Sequence, residues 1–115
     1  MDVPKQVQDK LAQFQTLQGQ LQMISMQKQQ LMMQKTDLEN AKKELDAMGS
    51  GKVYRMVGPI LIETGKDAGI KYVADEHDMS DAKIKVMEKQ EKKLVDKLNE
   101  MKTELQSMLG PQKTG

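Results

Sequence analysis

The sequence predicts a mainly α protein in which two long helices form an antiparallel coiled coil joined by one β-hairpin. Three observations predict this fold class. Residues that favour helices (Leu, Met, Gln, Lys and Glu) dominate the 115-residue chain, which has only three prolines. Aliphatic residues recur every seven positions in both halves of the chain. Between the two halves lies a short segment rich in β-branched residues and bounded by glycines.

Composition limits the possible classes of protein. Hydrophobic residues make up 37% of the chain and charged residues 30%, so a conventional globular core is not expected. The net charge is +1 with both signs interspersed, and no basic block indicates a nucleic-acid partner. No apolar run approaches the roughly 20 residues of a membrane span, and the opening MDVPKQVQDK does not resemble a signal peptide. We therefore expect a soluble cytoplasmic protein with neither nucleic acid nor membrane as a partner.

Helix 1 is predicted from about residue 3 to about residue 48. One heptad column is aliphatic throughout, whereas its companion column begins with Phe14 and Leu21 and then reaches lysines. The sequence GSG at residues 49–51 is expected to end the helix. The aliphatic column consists of Leu17, Ile24, Leu31, Leu38 and Leu45.

Helix 2 is predicted from about residue 66 to about residue 109, where Gly-Pro stops it. Its heptad phase, traced backwards from the C-terminal half, passes through Ser80 and His77 to Val73. Two alternatives remain at this point: GIKYV at residues 69–73 also fits a short strand, and Ser80 could cap a later helix start. The two columns consist of Met87, Leu94, Met101 and Met108, and of Ile84, Glu91, Leu98 and Leu105.

The hairpin is predicted at about residues 52–64, which completes a single domain over residues 1–115. Gly58-Pro59 suits a two-residue turn in which glycine takes the positive φ. Both faces of such a hairpin are largely apolar, and an isolated two-stranded hairpin is marginally stable in water. We expect it to pair with hairpins of other chains; the alternative is a loop lying against its own coil. The predicted assembly residues are Val53, Tyr54, Met56, Val57, Ile60, Leu61 and Ile62.

The order helix, VYRMVGPILIE, helix resembles prefoldin, specifically its β-class subunits of the archaeal type. The resemblance is carried most specifically by residues 53–55, Gly58 and residues 60–62. Two helical segments are also similar to the sequences of archaeal members, namely the segment that starts at residue 8 (QDKLAQF) and residues 88–101 (EKQEKKLVDKLNEM). The α class of that family carries two hairpins between its helices, whereas this sequence shows one.

The resemblance implies a molecular chaperone subunit, a holdase that binds unfolded proteins without ATP. It also implies a hetero-hexamer of two α-class and four β-class subunits, whose hairpins assemble into a body of β-barrels. The coiled coils would extend from this body, bind unfolded clients at their tips and deliver them to a group II chaperonin. No cofactor is expected.

The helix ends far from the hairpin are the predicted client-binding tips. An alternative is that the same residues only hold the coil ends together, and both roles are compatible. The rival function is a coiled-coil scaffold or tether that assembles through its hairpin and binds no client. The predicted tip residues are Val3, Val7, Leu11 and Phe14 of helix 1 and Met101, Leu105, Met108 and Leu109 of helix 2.

Features that would indicate an enzyme or a metal site are weak in this sequence. GSGK at residues 49–52 lacks the remaining positions of a phosphate-binding loop. His77 is the single histidine and has no cysteine nearby, so a polar position in the coil is the better interpretation. We therefore expect no enzymatic activity and no metal. Among the eleven methionines, a group at residues 23–33 does not fit one heptad column, so some of them are expected to face outward.

Overall fold

Two helices of 43 residues flank one hairpin in the computed structural model, which describes residues 4–110. The order is α1 (Lys5–Ala47), β1 (Val53–Val57), β2 (Ile60–Thr64) and α2 (Lys66–Met108). The two strands form an antiparallel sheet. The predicted fold class, two long helices joined by one hairpin, is therefore confirmed.

The described residues divide into two packed units, each built from parts of both helices. We call them the terminal unit and the hairpin unit. The terminal unit contains the described residues up to Lys28 and from Val86 onward. The hairpin unit contains residues Gln29–Lys85.

The terminal unit is held by an apolar seam between α1 and α2. Val7 of α1 is buried, and Leu98, Met101 and Leu105 of α2 are buried with it. An ion pair of 2.6 Å between Lys10 Nζ and Glu104 Oε2 crosses the helices beside this seam. Further along α1, Lys28 pairs with the earlier Glu91 of α2, so the helices run antiparallel in this unit.

The hairpin unit has a similar seam with smaller and more polar members. Val73, Ser80 and Ile84 of α2 are buried, at 7–8% exposure. Lys35 Nζ donates to Asp81 Oδ1 at 2.8 Å across the helices. The helices are antiparallel here as well, and the heptad phase continues through the part of α2 that reads as polar in the sequence.

Helix α2 includes residues 69–80, so both alternatives to a continuous helix are wrong. The physical reason is local packing. Gly69 is buried, and a Cβ built on it would lie 3.0 Å from Val53 Cγ1 and 3.8 Å from Leu45 Cδ2. A larger side chain would push the helix away from β1 and α1, so glycine at this seam position permits close approach and does not break the helix.

The junctions of the hairpin follow from local chemistry. Gly58 has a φ of 58°, as a two-residue turn with glycine first requires. At the other end of the hairpin, Lys66 Nζ donates to the Met48 carbonyl oxygen at 2.8 Å. A cation therefore satisfies a carbonyl at the C-terminal end of α1, where the helix dipole favours positive charge.

Candidate functional site

The hairpin exposes its apolar side chains on both faces. The register pairs Met56 with Leu61 and Val57 with Ile60. Alternation along the strands places these two pairs on opposite faces. The six predicted assembly residues from Tyr54 onward are 41–68% exposed, and they are Tyr54, Met56, Val57, Ile60, Leu61 and Ile62. The seventh, Val53, is partly buried.

The base of the hairpin is anchored to α2. Val53 lies against Gly69, and the guanidinium carbon of Arg55 lies 4.6 Å from the centre of the Tyr72 ring. Such a cation–π contact adds a modest attraction at an exposed site. The anchored residues hold the strands at α2, and the turn end, with Val57 and Ile60, stays exposed.

The hairpin leaves hydrogen-bonding groups unpaired along both outer edges. Within residues 4–110 the sheet has two strands, so each strand has one neighbour and one free edge. Free edges flanked by exposed apolar side chains are surfaces that readily pair with another strand. This geometry makes the hairpin the candidate assembly site of the chain.

The predicted tip residues are found in two different environments. Val7, Met101 and Leu105 are buried in the seam. Leu11 and Leu109 are exposed, at 41% and 55%. Of the other predicted tip residues, Phe14 is partly buried, Met108 is 38% exposed, and Val3 lies outside the described residues. The buried members stabilise the coil end, and the exposed members are individually accessible to solvent.

A polar cluster occupies the seam of the terminal unit. Glu91 accepts hydrogen bonds from Lys28 Nζ and from Ser25 Oγ, both at 2.7 Å. The hydrogen bond from Lys28, followed by that from Ser25, holds the pKa of Glu91 below its usual value. The hydrogen bond to Glu91 in turn raises the pKa of Lys28. The cluster matches a single pairing of α1 with α2, because a shifted register would leave these charges unpaired in the seam.

This cluster was not predicted, although the signal for it is present in the sequence. The lysines at positions 28 and 35 interrupt the companion column of α1, and Glu91 interrupts the corresponding column of α2. In the hairpin unit, Lys35 and then Lys85 donate to Asp81 and hold its pKa below the usual value. Opposite charges at seam positions of the two helices would have indicated the pair of Lys28 with Glu91, whereas Asp81 lies beside the seam columns.

Some methionines at residues 23–33 were expected to face outward, and all four in that group are exposed. Met23 and Met26 are 62% and 64% exposed, and Met32 and Met33 are also exposed. Across residues 4–110 no group of three or more His, Cys, Asp or Glu side chains is arranged to hold a metal ion. Neither described helix combines the length and the apolar composition needed to cross a bilayer.

Comparisons with known proteins agree with this geometry. The family model described as prefoldin subunit matches residues 8–112. The chain is 32% identical to the prefoldin subunit beta of Thermococcus kodakarensis, over 99% of this chain and 98% of the relative. It is 36% identical to the prefoldin subunit beta of Archaeoglobus fulgidus, over 96% of this chain and 97% of the relative.

Two solved structures are similar as well. The prefoldin beta subunit from Thermococcus strain KS-1 matches with a TM-score of 0.86 at 32% identity, covering 96% of this chain and 98% of that chain. The prefoldin beta2 subunit from the same strain matches with a TM-score of 0.72 at 25% identity, covering 78% of this chain and 97% of that chain.

The fold defines a class of proteins in which two long helices are joined by a small sheet with exposed apolar side chains. Within that class the chain belongs to the prefoldin subunit family, and its relatives there are archaeal β subunits. The resemblance noted in the sequence is therefore confirmed, and the chain is a chaperone-type subunit.

Proposed function

We propose that this chain is the β subunit of a cytoplasmic hetero-hexamer of two α-class and four β-class subunits. In this proposal the hairpins form the β-barrel body of the hexamer. The assembly is a holdase, which binds unfolded proteins at its coiled-coil tips without ATP. It then delivers them to a group II chaperonin.

The observation that carries the proposal is the exposure of the hairpin. An apolar sheet with two free edges is unfavourable in water, and pairing with strands of other chains would bury those edges. The side chains of Val57 and Ile60 lie opposite each other at the turn end and are exposed there. These features support assembly through the hairpin, and membership in the prefoldin subunit family supports the chaperone role.

The exposed tip residues support client binding. Leu11, Met108 and Leu109 present apolar surface beside the end of the coil. Each residue contributes at most about 1.5 to 3 kcal/mol when fully buried, and less at a wet surface. Several tips on one assembly would raise the effective concentration of such weak sites, so retention requires the oligomer.

The test uses the purified assembly, without nucleotide, and a chemically denatured client protein diluted into it. We expect the assembly to suppress client aggregation, followed by light scattering. Changing Leu11, Met108 and Leu109 to serine together should abolish most of this suppression while the mass of the assembly stays unchanged. The matched control changes Met32, Met33 and Met79 to serine, which are similarly exposed apolar residues of the hairpin unit.

The same experiment decides between the holdase and the scaffold or tether. Burial of Val7, Met101 and Leu105 favours the scaffold or tether, because buried residues hold the coil ends together and are not available to a client. An assembly of the expected mass that leaves client aggregation unchanged would contradict the holdase and support the tether. Full suppression by the serine variant would contradict binding at the tips.

A further inference from the structure

Helix α1 has an uncharged stretch within the terminal unit. Residues 11–27 contain no Asp, Glu, Lys or Arg. The facing part of α2 is different, because residues 86–104 carry many Lys and Glu side chains. The uncharged stretch contains six glutamines, at positions 13, 15, 18, 20, 22 and 27. In these two stretches, α1 therefore carries side-chain amide groups and α2 carries charged side chains.

An open groove of about 660 Å³ follows this uncharged helix. Gln15, Gln18 and Gln22 line it. Ser25 of α1 and two leucines also line it, Leu21 of α1 and the buried Leu98 of α2. The groove thus combines amide groups with an apolar part and contains no charged side chain.

Gly19 also lines the groove and is not explained by packing within the chain. A Cβ built on it would meet nothing within 4 Å, so alanine would fit there. Glycine in a helix interior lowers helix stability relative to alanine. The missing side chain leaves the groove wider at this point, which accommodates a chain lying along it.

The three glutamines can each donate and accept hydrogen bonds. Among the hydrogen bonds between described residues, none uses the side chains of Gln15, Gln18 or Gln22. They follow one another at about 4.5 to 6 Å along the helix axis. Amide groups on one side of an extended chain repeat about every 6.6 Å, a spacing that flexible glutamine side chains can match.

We propose that this groove binds extended segments of non-native polypeptides through their main-chain amide groups. The inference rests on the proposed function and specifies what the holdase recognises. Main-chain groups are common to all unfolded proteins, and an uncharged lining repels neither acidic nor basic segments. The groove would thereby add binding without sequence preference to the apolar contacts at the tips.

The first test uses a short fluorescein-labelled peptide of alternating alanine and serine, and its copy with alternate amides N-methylated. N-methylation removes main-chain donors and leaves the side chains unchanged. We expect the methylated peptide to bind the purified assembly about tenfold more weakly by fluorescence anisotropy, because each lost hydrogen bond contributes modestly. Equal affinities for the two peptides would overturn the proposal.

The second test changes Gln15, Gln18 and Gln22 to alanine together. The matched control changes Gln20, Gln27 and Gln30 to alanine, which are exposed on α1 and do not line the groove. Both variants replace glutamine by a better helix former, so neither should lose helix content. We expect the groove variant to bind both peptides weakly and equally, and the control to behave like the unchanged protein.

The outcomes separate this inference from the proposed function. If the groove variant retains the difference between the two peptides while the assembly suppresses aggregation, the groove proposal is wrong and the holdase stands. If the assembly of the unchanged protein does not suppress client aggregation either, the proposed function itself is wrong. A change in assembly mass caused by the groove variant would identify the groove as an interface between copies and would also overturn the inference.

Discussion

The hairpin and the helical seam contain the same kinds of apolar side chain in opposite environments. Ile84 and Leu98 in the seam are buried, at 7% and 9% exposure, whereas Ile60 and Leu61 in the hairpin are 61% and 60% exposed. The seam residues recur at heptad positions, so an antiparallel partner helix from the same chain covers them. The hairpin residues alternate between two faces, which the same helices cannot both cover.

This difference separates the part of the chain that buries its own apolar side chains from the part that leaves them exposed. A helix satisfies its backbone hydrogen bonds internally and needs a partner only for its apolar stripe. A two-stranded sheet has free edges as well as apolar faces, so neighbouring strands would stabilise it. Substitutions in the seam should therefore change the stability of the folded chain, and substitutions in the hairpin should change assembly.

The largest effect is expected from charges placed in the hairpin. Changing both Val57 and Ile60 to Asp would put two carboxylates opposite each other at the turn end, since these residues are cross-strand partners. We expect the assembly to dissociate while helix content is retained. Light scattering would measure the mass, and circular dichroism the helix content.

The control for this prediction places the same charges on a helix. Met32 and Met33 are exposed on α1 in the same unit, so changing them to Asp should leave the mass unchanged. An unchanged mass in the hairpin variant as well would show that the hairpin is not the assembly element.

The next largest effect is expected from a cavity in the seam. Leu98→Ala should lower the free energy of unfolding by about 2 to 4 kcal/mol, because a buried side chain is lost and the seam closes only in part. Chemical denaturation followed by circular dichroism would measure this loss. Met23→Ala, at a position 62% exposed, should change the free energy by less than about 0.5 kcal/mol. Similar losses for the two variants would contradict the assignment of the seam.

The helices and the hairpin could be predicted from sequence because both signals are local. Heptad spacing predicts which helix face is buried, and a Gly-Pro between two β-branched runs predicts the turn. The exposure of the hairpin could also be anticipated, since its two faces are equally apolar. Gly69 could not be explained in advance, because its role depends on the approach of Val53, which lies far from it in sequence.

A smaller effect is expected from the polar cluster when the pH falls. The pKa of Glu91 is lower in the folded chain than its ordinary value of 4.5 because of Lys28 and Ser25. Its contribution to stability is therefore present above pH 4.5 and is lost as the pH falls through the lower folded value. We expect Glu91→Gln to be less stable than the unchanged protein at neutral pH, with the difference shrinking in acid.

Glu88→Gln is the matched control for this prediction. Glu88 lies 4.0 Å from Lys28 Nζ and is more exposed than Glu91, so its contribution should be small at every pH. Denaturation curves at several pH values would measure both differences. A Glu91→Gln variant whose deficit stays constant in acid would show that the carboxylate charge is not what stabilises the cluster.

The candidate sites were predictable to different degrees. The hairpin residues follow from pattern alone, and all but Val53 are exposed, as assembly through the hairpin would require. The tip residues were predicted as one group, yet Val7 and Leu109 have opposite exposure. Both were grouped as apolar residues near a coil end, although Leu109 lies outside the two heptad columns of helix 2, and that grouping cannot tell which of them the partner helix covers. Which residue is covered depends on how the two helix ends pack, and the register between the helices determines that packing.

The smallest effect is expected from replacing Gly19 or Gly69 by alanine, two helix-interior glycines that sequence alone does not distinguish. Gly19→Ala should raise the free energy of unfolding by up to about 1 kcal/mol, because alanine favours the helix and its Cβ would meet nothing within 4 Å. Gly69→Ala gains the same helix propensity but places a Cβ 3.0 Å from Val53 Cγ1, so the Val53 side chain must move by a few tenths of an ångström. We therefore expect Gly69→Ala to be the less stable of the two variants by chemical denaturation. Equal gains in the free energy of unfolding would mean that Val53 moves at no cost when α2 carries a larger side chain. The tightly packed region would then end before Val53, and the whole hairpin would belong to the exposed part of the chain.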